Sequence, residues 1–164
     1  MILRLGALAL LAAACDGPHQ TVCPGTPVAT LGFQAVPSDG GTAPDGGTLC
    51  PFDGGTQSFT ATLSYGDGTT AYLCKAVSEA APLSGTRDGG HVLFEVPATS
   101  GNTPTCACAT QVTEELEGDV GGSPPFQGQL RNYVTSADAG TSCAGDGGAS
   151  CGVPCWLIWQ VTGL

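Results

Sequence analysis

The stretch Ser58-Phe59-Thr60-Ala61-Thr62-Leu63-Ser64-Tyr65, followed by Gly66-Asp67-Gly68 and the run Thr69 to Val77, decides the fold class. Phe59, Ala61, Leu63 and Tyr65 alternate with Ser58, Thr60, Thr62 and Ser64. A period of two is the mark of a strand with one buried face, because successive side chains leave a pleated backbone on opposite sides. The Gly-Asp-Gly segment supplies residues that accept turn conformations, so the two runs predict a hairpin.

The same alternation extends in both directions along the chain. It fits Val28–Val36, with Ala29, Leu31 and Phe33 on one side, and His91–Val96, with Val92, Phe94 and Val96. It also fits Thr105–Glu117, with Cys106, Cys108 and Val112 sharing a face, and two more segments, Phe126–Ser136 and Cys155–Thr162. No ten-residue segment free of Gly and Pro carries an amphipathic helical stripe. Seven strands separated by turn residues predict an all-β fold, a small disulfide-stabilised antiparallel β-sandwich with long Gly/Asp-rich loops, with a small barrel as the alternative. Trp156 and Trp159, three apart in the last strand, must point to opposite faces. One at most belongs to the core, and the other is free to bind, for instance by stacking on a carbohydrate, or is covered by a loop.

Composition sets limits on function. Only 4 of the 164 residues are Lys or Arg against 14 Asp or Glu, a formal charge of −10 that offers no basic face to phosphates and argues against nucleic-acid binding. Gly 26 and Pro 12 argue against a helical bundle. Leu, Ile, Val and Phe together make only about a fifth of the chain, so the core needs a supplement. Nine cysteines are that supplement.

The N-terminus carries the clearest address. One positive charge at Arg4 precedes the apolar run Leu5 to Ala14, and small residues lead directly into Cys15, the layout of a secretory signal. Ten residues span about 15 Å as a helix, half of what a bilayer core requires. The junction Leu11-Ala12-Ala13-Ala14-Cys15 resembles the lipobox of bacterial lipoproteins, although the commonest form has Leu in the place held here by Ala12. The resemblance covers residues 1–15 and implies cleavage before Cys15, acylation of that cysteine, and a lipid anchor in the bacterial cell envelope. It leaves open whether the inner or the outer membrane is meant, and it names no protein or glycan partner. The implied organisation is a signal peptide over 1–14, a short tether over 15–22 and a single β domain over 23–164, with a Gly/Asp-rich loop near 37–57. Losing Arg4 takes the formal charge to −11.

Setting Cys15 aside leaves eight cysteines, Cys23, Cys50, Cys74, Cys106, Cys108, Cys143, Cys151 and Cys155, an even set able to form four bridges in an oxidising compartment. Cys106 and Cys108 point to one face about 6.6 Å apart, at the edge of disulfide reach, so they are expected to bridge to other strands, with Cys74 and Cys155 as candidate partners. A Cys143–Cys151 bridge would tie down the loop between them. Cys-x-x-Cys redox spacing and paired zinc spacing are both lacking, which favours structural disulfides.

Catalytic inventories are thin. His91 follows Asp88-Gly89-Gly90 at a strand entry and reads as an exposed hairpin histidine, with no Gly-x-Ser-x-Gly elbow to complete a triad. Of the acids Glu114, Glu115, Glu117 and Asp119, Glu115 and Glu117 share a strand face and look like a solvated edge that discourages aggregation. The triplets Asp39-Gly40-Gly41, Asp45-Gly46-Gly47 and Asp53-Gly54-Gly55, repeated at Asp88 and Asp146, read as turns and mobile surface loops. Asp39, Asp45 and Asp53 would form a calcium site only if that loop folds back on itself. The sequence therefore predicts no cofactor and no catalytic residue, and a non-enzymatic structural or binding module. A calcium-dependent binding or adhesion module and an envelope hydrolase using His91 or the Glu114–Asp119 acids are the alternatives.

Overall fold

A computed structural model of the chain describes residues 22–38, 43–51, 54–76, 81–102, 109–137 and 152–164. Eight strands form in chain order: β1 (Thr26–Pro37), β2 (Gln57–Tyr65), β3 (Thr70–Lys75), β4 (Leu83–Asp88), β5 (His91–Asn102), β6 (Ala109–Val120), β7 (Phe126–Ser136) and β8 (Cys155–Gly163). Each pairs antiparallel with the next, and β1 pairs with β8, so the sheet closes on itself. The fold is thus a closed eight-stranded barrel and not a seven-stranded sandwich.

Closure rests on the long-range register from Phe33 opposite Gly163 to Pro37 opposite Trp159, extended by reciprocal Gly32 and Leu164 backbone hydrogen bonds of 3.0 and 3.1 Å. The strand missing from the sequence reading is β4. Its inward positions hold Leu83, Gly85 and Arg87, so no apolar alternation marks it. Pro97, an unusual strand residue, falls at a register shift between Val96 and Thr99, where a ladder hydrogen bond is already lost.

Inward residues fill the barrel. Phe33 stacks on Phe59 with ring centroids 4.9 Å apart and meets Phe126 edge-on at 5.1 Å, while Leu31, Leu63, Leu73, Phe94, Leu116, Leu130, Trp159 and Val161 complete the buried cluster. An eight-stranded barrel is just wide enough for side chains to fill it. Large rings fit because glycine stands at neighbouring inward positions: a Cβ on Gly118 would run into Phe126, and one on Gly85 into Phe94. Lys75 lies over Phe59 at one end, and Arg87 over Tyr65 at the other, 5.4 and 4.5 Å from the ring centroids.

The outward positions are mostly Ser, Thr, Gln and Glu, as in Ser58, Thr60 and Thr62 on β2 and Gln127 and Gln129 on β7. Apolar inside and polar outside is the reverse of a membrane-spanning barrel, whose outer band must face lipid. Among the described residues no helix is long and apolar enough to cross a membrane.

Among the described residues two disulfides join this frame. Cys23 bonds to Cys74 across the outer face of β2, where Ser64 Oγ donates to Pro24 O and the chain turns at Gly25 with φ 79°. Cys50 bonds to Cys155 at the start of β8. Both of the partners expected for Cys106 and Cys108 are therefore taken by other cysteines. Strand alternation does not reveal these pairings, because Cys23 and Cys50 lie in segments outside the strands that fold back onto the barrel. Cys106, Cys108, Cys143, Cys151 and residues 1–21, with Cys15 among them, lie outside the described residues.

Candidate functional site

One end of the barrel has short turns at 66–69, 89–90 and 121–125, and the other sends out the longer connections 38–56, 76–82, 103–108 and 137–154. The candidate site runs up the outer wall of β5 to β8 toward the long-connection end. Strand alternation sets its rows: His91 opposite Asp119, Glu115 opposite Arg131, Glu117 opposite Gln129, and Tyr133 opposite Trp156.

Its lower part is a charged network. His91 Nδ1 lies 2.9 Å from Asp119 Oδ1, and Nε2 lies 3.2 Å from Glu117 Oε1. Glu117 also reaches Arg131, whose Nη1 donates to Glu117 Oε2 at 2.8 Å and to Glu115 Oε1 at 2.6 Å. Arg131 Nε and Nη2 donate to Gln129 Oε1 at 3.2 and 3.0 Å. The hydrogen bond to Asp119 raises the His91 pKa above its ordinary 6.5; desolvation opposes it, and the negative charges of Asp119 and Glu117 add to the rise. His91 is an exposed hairpin histidine, as its sequence context suggests, with both ring nitrogens engaged by carboxylates.

The carboxylates of β6 divide across the wall. Glu115, Glu117 and Asp119 face out, while Glu114 is half-buried on the inner side in line with Leu116 and opposite Asn132. The reading of Glu115 and Glu117 as a protective sheet edge is corrected, since β6 is paired on both sides in a closed barrel and has no edge. Arg131 and Tyr133, which complete the wall, were missed. The alternation of Phe126–Ser136 would have placed them on one face with Gln127 and Gln129.

The upper part is an aromatic cleft of about 450 Å³ lined by Pro44, Gly47, Thr48, Tyr133, Pro154 and Trp156. Tyr133 and Trp156 pack with ring centroids 4.7 Å apart at a tilt of 35°. Trp156 is clamped through its backbone: its N–H donates to Thr48 O, and its carbonyl accepts from Cys50 N–H, both at 2.9 Å. The segment around Leu49 thereby runs parallel to β8 in the place that β1 vacates after Pro37, and the Cys50–Cys155 bond fixes it there.

Two of the Asp-Gly-Gly triplets do more than turn. Gly47, following the short 3₁₀ turn Pro44–Gly46, comes so close to Trp156 that a Cβ would lie 2.9 Å from indole Cδ1 and Nε1. A Cβ on Gly54 would overlap the Trp159 ring, and the neighbouring Gly55 carbonyl accepts the Trp159 Nε1 hydrogen bond at 2.8 Å. The glycines of these triplets lie on the surface as expected, and in addition they pack against the indoles. Asp88-Gly89-Gly90 is the β4–β5 turn. Of the calcium candidates, Asp39, Asp53 and the side chain of Asp45 lie outside the described residues, as does Asp146. Among the described residues no three His, Cys, Asp or Glu side chains gather as a metal site.

No protein-family description, curated protein or solved structure matches the chain.

Proposed function

We propose that the chain is a non-enzymatic lipoprotein of the bacterial cell envelope, anchored through acylated Cys15 and presenting its barrel as a binding module. The anchor rests on the apolar run into Cys15 and its resemblance to a lipobox. The observation that carries the binding role is the division of the barrel between a largely apolar buried cluster inside and a polar outer wall bearing an aromatic cleft. A barrel packed in this way has its recognition surface outside. The commitment of both His91 ring nitrogens to carboxylates supports an ionic role for that residue in preference to proton transfer. Residues 15–22 reach at most about 28 Å when extended, which keeps the barrel beside the bilayer.

Several acyl chains, each contributing about 0.8 kcal/mol per buried CH₂, make such an anchor stable. The test is membrane fractionation of the wild type and Cys15→Ser. The reading predicts a membrane-bound wild type and a soluble or unprocessed variant. A variant that stays in the membrane fraction with the wild-type mature mass contradicts it.

A further inference from the structure

The chemistry of the cleft narrows its ligand. Tyr133 and Trp156 pack on one another, and the ring surface they turn to the cleft carries negative quadrupole charge and attracts weakly positive C–H groups. Directly below Tyr133 on the same face of β7 stands Arg131, and the carboxylates it holds, Glu115 and Glu117, have side chains 28% and 32% exposed, leaving oxygen atoms able to accept hydrogen bonds from a ligand. Two carboxylates against one guanidinium, on a chain of net charge −10, disfavour an anionic ligand. A proline-rich segment also packs on aromatic grooves, but it lacks the N–H donors that these acceptors require. A sugar ring supplies both partners, C–H groups for the aromatic faces and hydroxyl donors for the carboxylates. The volume of about 450 Å³ lies within the roughly 300–1,000 Å³ of small-molecule clefts. The backbone clamp on Trp156 and the Cys50–Cys155 bond hold the shelf in place before any ligand arrives, which lowers the ordering cost of binding.

We propose that the Tyr133–Trp156 cleft, together with Glu115 and Glu117 beneath it, binds a neutral carbohydrate chain. The proposal rests on the reading of the barrel as a binding module and names the ligand class of that site.

The chain has two tryptophans, and Trp159 is buried out of a ligand's reach, so a change in emission on titration is assigned to Trp156. The mature, acylated protein in a detergent that contains no sugar is titrated with cellohexaose, xylohexaose, mannohexaose, N-acetylchitohexaose and decaproline. The expected result is a saturable emission change with at least one oligosaccharide. By calorimetry, Trp156→Ala weakens that association roughly tenfold or more, Glu115→Gln weakens it less, and Trp156→Phe, which keeps an aromatic face, retains most of it. Circular dichroism confirms that each variant keeps its β signal. Failure of all four oligosaccharides to about 10 mM, a range of only weak association, overturns the proposal. So does a response confined to decaproline, or binding that survives Trp156→Ala unchanged. Chromatography of the titrated sugars separates this proposal from the broader reading. Cleavage lost in Glu115→Gln overturns the non-enzymatic reading and leaves the site standing, whereas absent binding with a membrane-bound wild type overturns the site alone.

Discussion

Three residues apart on β8, Trp159 is 1% exposed inside the barrel, while Trp156 lies outside against Tyr133 at the edge of an open cleft. Each is met by a glycine from an Asp-Gly-Gly triplet of the same connection, Gly54 over the first and Gly47 over the second. The wall of the barrel converts one sequence device into two results. Inside, the close approach of glycine completes a core with nowhere to yield. Outside, it aims an indole that still borders solvent.

Substitution of the two indoles gives the largest expected contrast. Trp159→Ala leaves a cavity in the packed interior and costs about 3–5 kcal/mol, whereas Trp156→Ala costs under about 1 kcal/mol because solvent fills the space. Urea denaturation of the two variants checks this difference. Equal losses would break the comparison.

The staple beside both indoles comes next. Replacing Cys50 and Cys155 together by Ala costs about 2–4 kcal/mol, and it frees the segment that clamps Trp156. Replacing Cys23 and Cys74 costs slightly less, because that bridge closes a separation of 51 residues against 105 and loop entropy differs by only about 0.6 kcal/mol per doubling. Denaturation midpoints rank the pairs, and only the first replacement is expected to weaken ligand binding at the cleft.

The glycines sharpen the contrast at smaller scale. Gly54→Ala forces a methyl into the Trp159 ring and costs about 1–3 kcal/mol by overpacking. Gly47→Ala displaces the rim of Trp156 toward solvent and costs less than about 1 kcal/mol, a surface-sized effect, while altering the emission of that tryptophan.

The smallest effect lies lower on the outer wall. The folded-state pKa of His91 is raised, so its contribution to stability is fully present below the unfolded value near 6.5 and is lost as pH rises through the folded value. Asp119 and Glu117 face the imidazole, and Arg131 adjoins Glu117. Wild type is expected to lose a small increment of stability above pH 6.5 that His91→Gln does not lose. High salt is expected to shrink the increment, since the pair is solvent-exposed. A pH profile identical in the two proteins would contradict the ion-pair account.

The sequence shows the walls of this barrel more readily than its closure. Phe126–Ser136 is found with its observed bounds, and the Phe59 to Tyr65 alternation gives both the hairpin and its buried side, because period two follows directly from the pleat. β4 is hidden because its inward positions carry Gly85, there to admit Phe94, and Arg87, there to cover Tyr65. Closure depends on Phe33 meeting Gly163, a pairing of residues far apart in sequence that no local pattern announces. The opposite facings of Trp156 and Trp159 are legible from alternation alone. The cleft is not, since it needs Pro44 and Gly47 from a distant connection and Tyr133 from the neighbouring strand.

The most direct test of the inside-and-outside division is acrylamide quenching of native fluorescence in wild type and Trp156→Phe. The variant retains only Trp159, sealed in the interior with its Nε1 bound to Gly55 O. The account predicts a blue-shifted emission in the variant that acrylamide scarcely quenches, with the quenchable component of the wild type removed by the substitution. A variant whose remaining tryptophan emits at long wavelength and is quenched as readily as in the unfolded chain would contradict it.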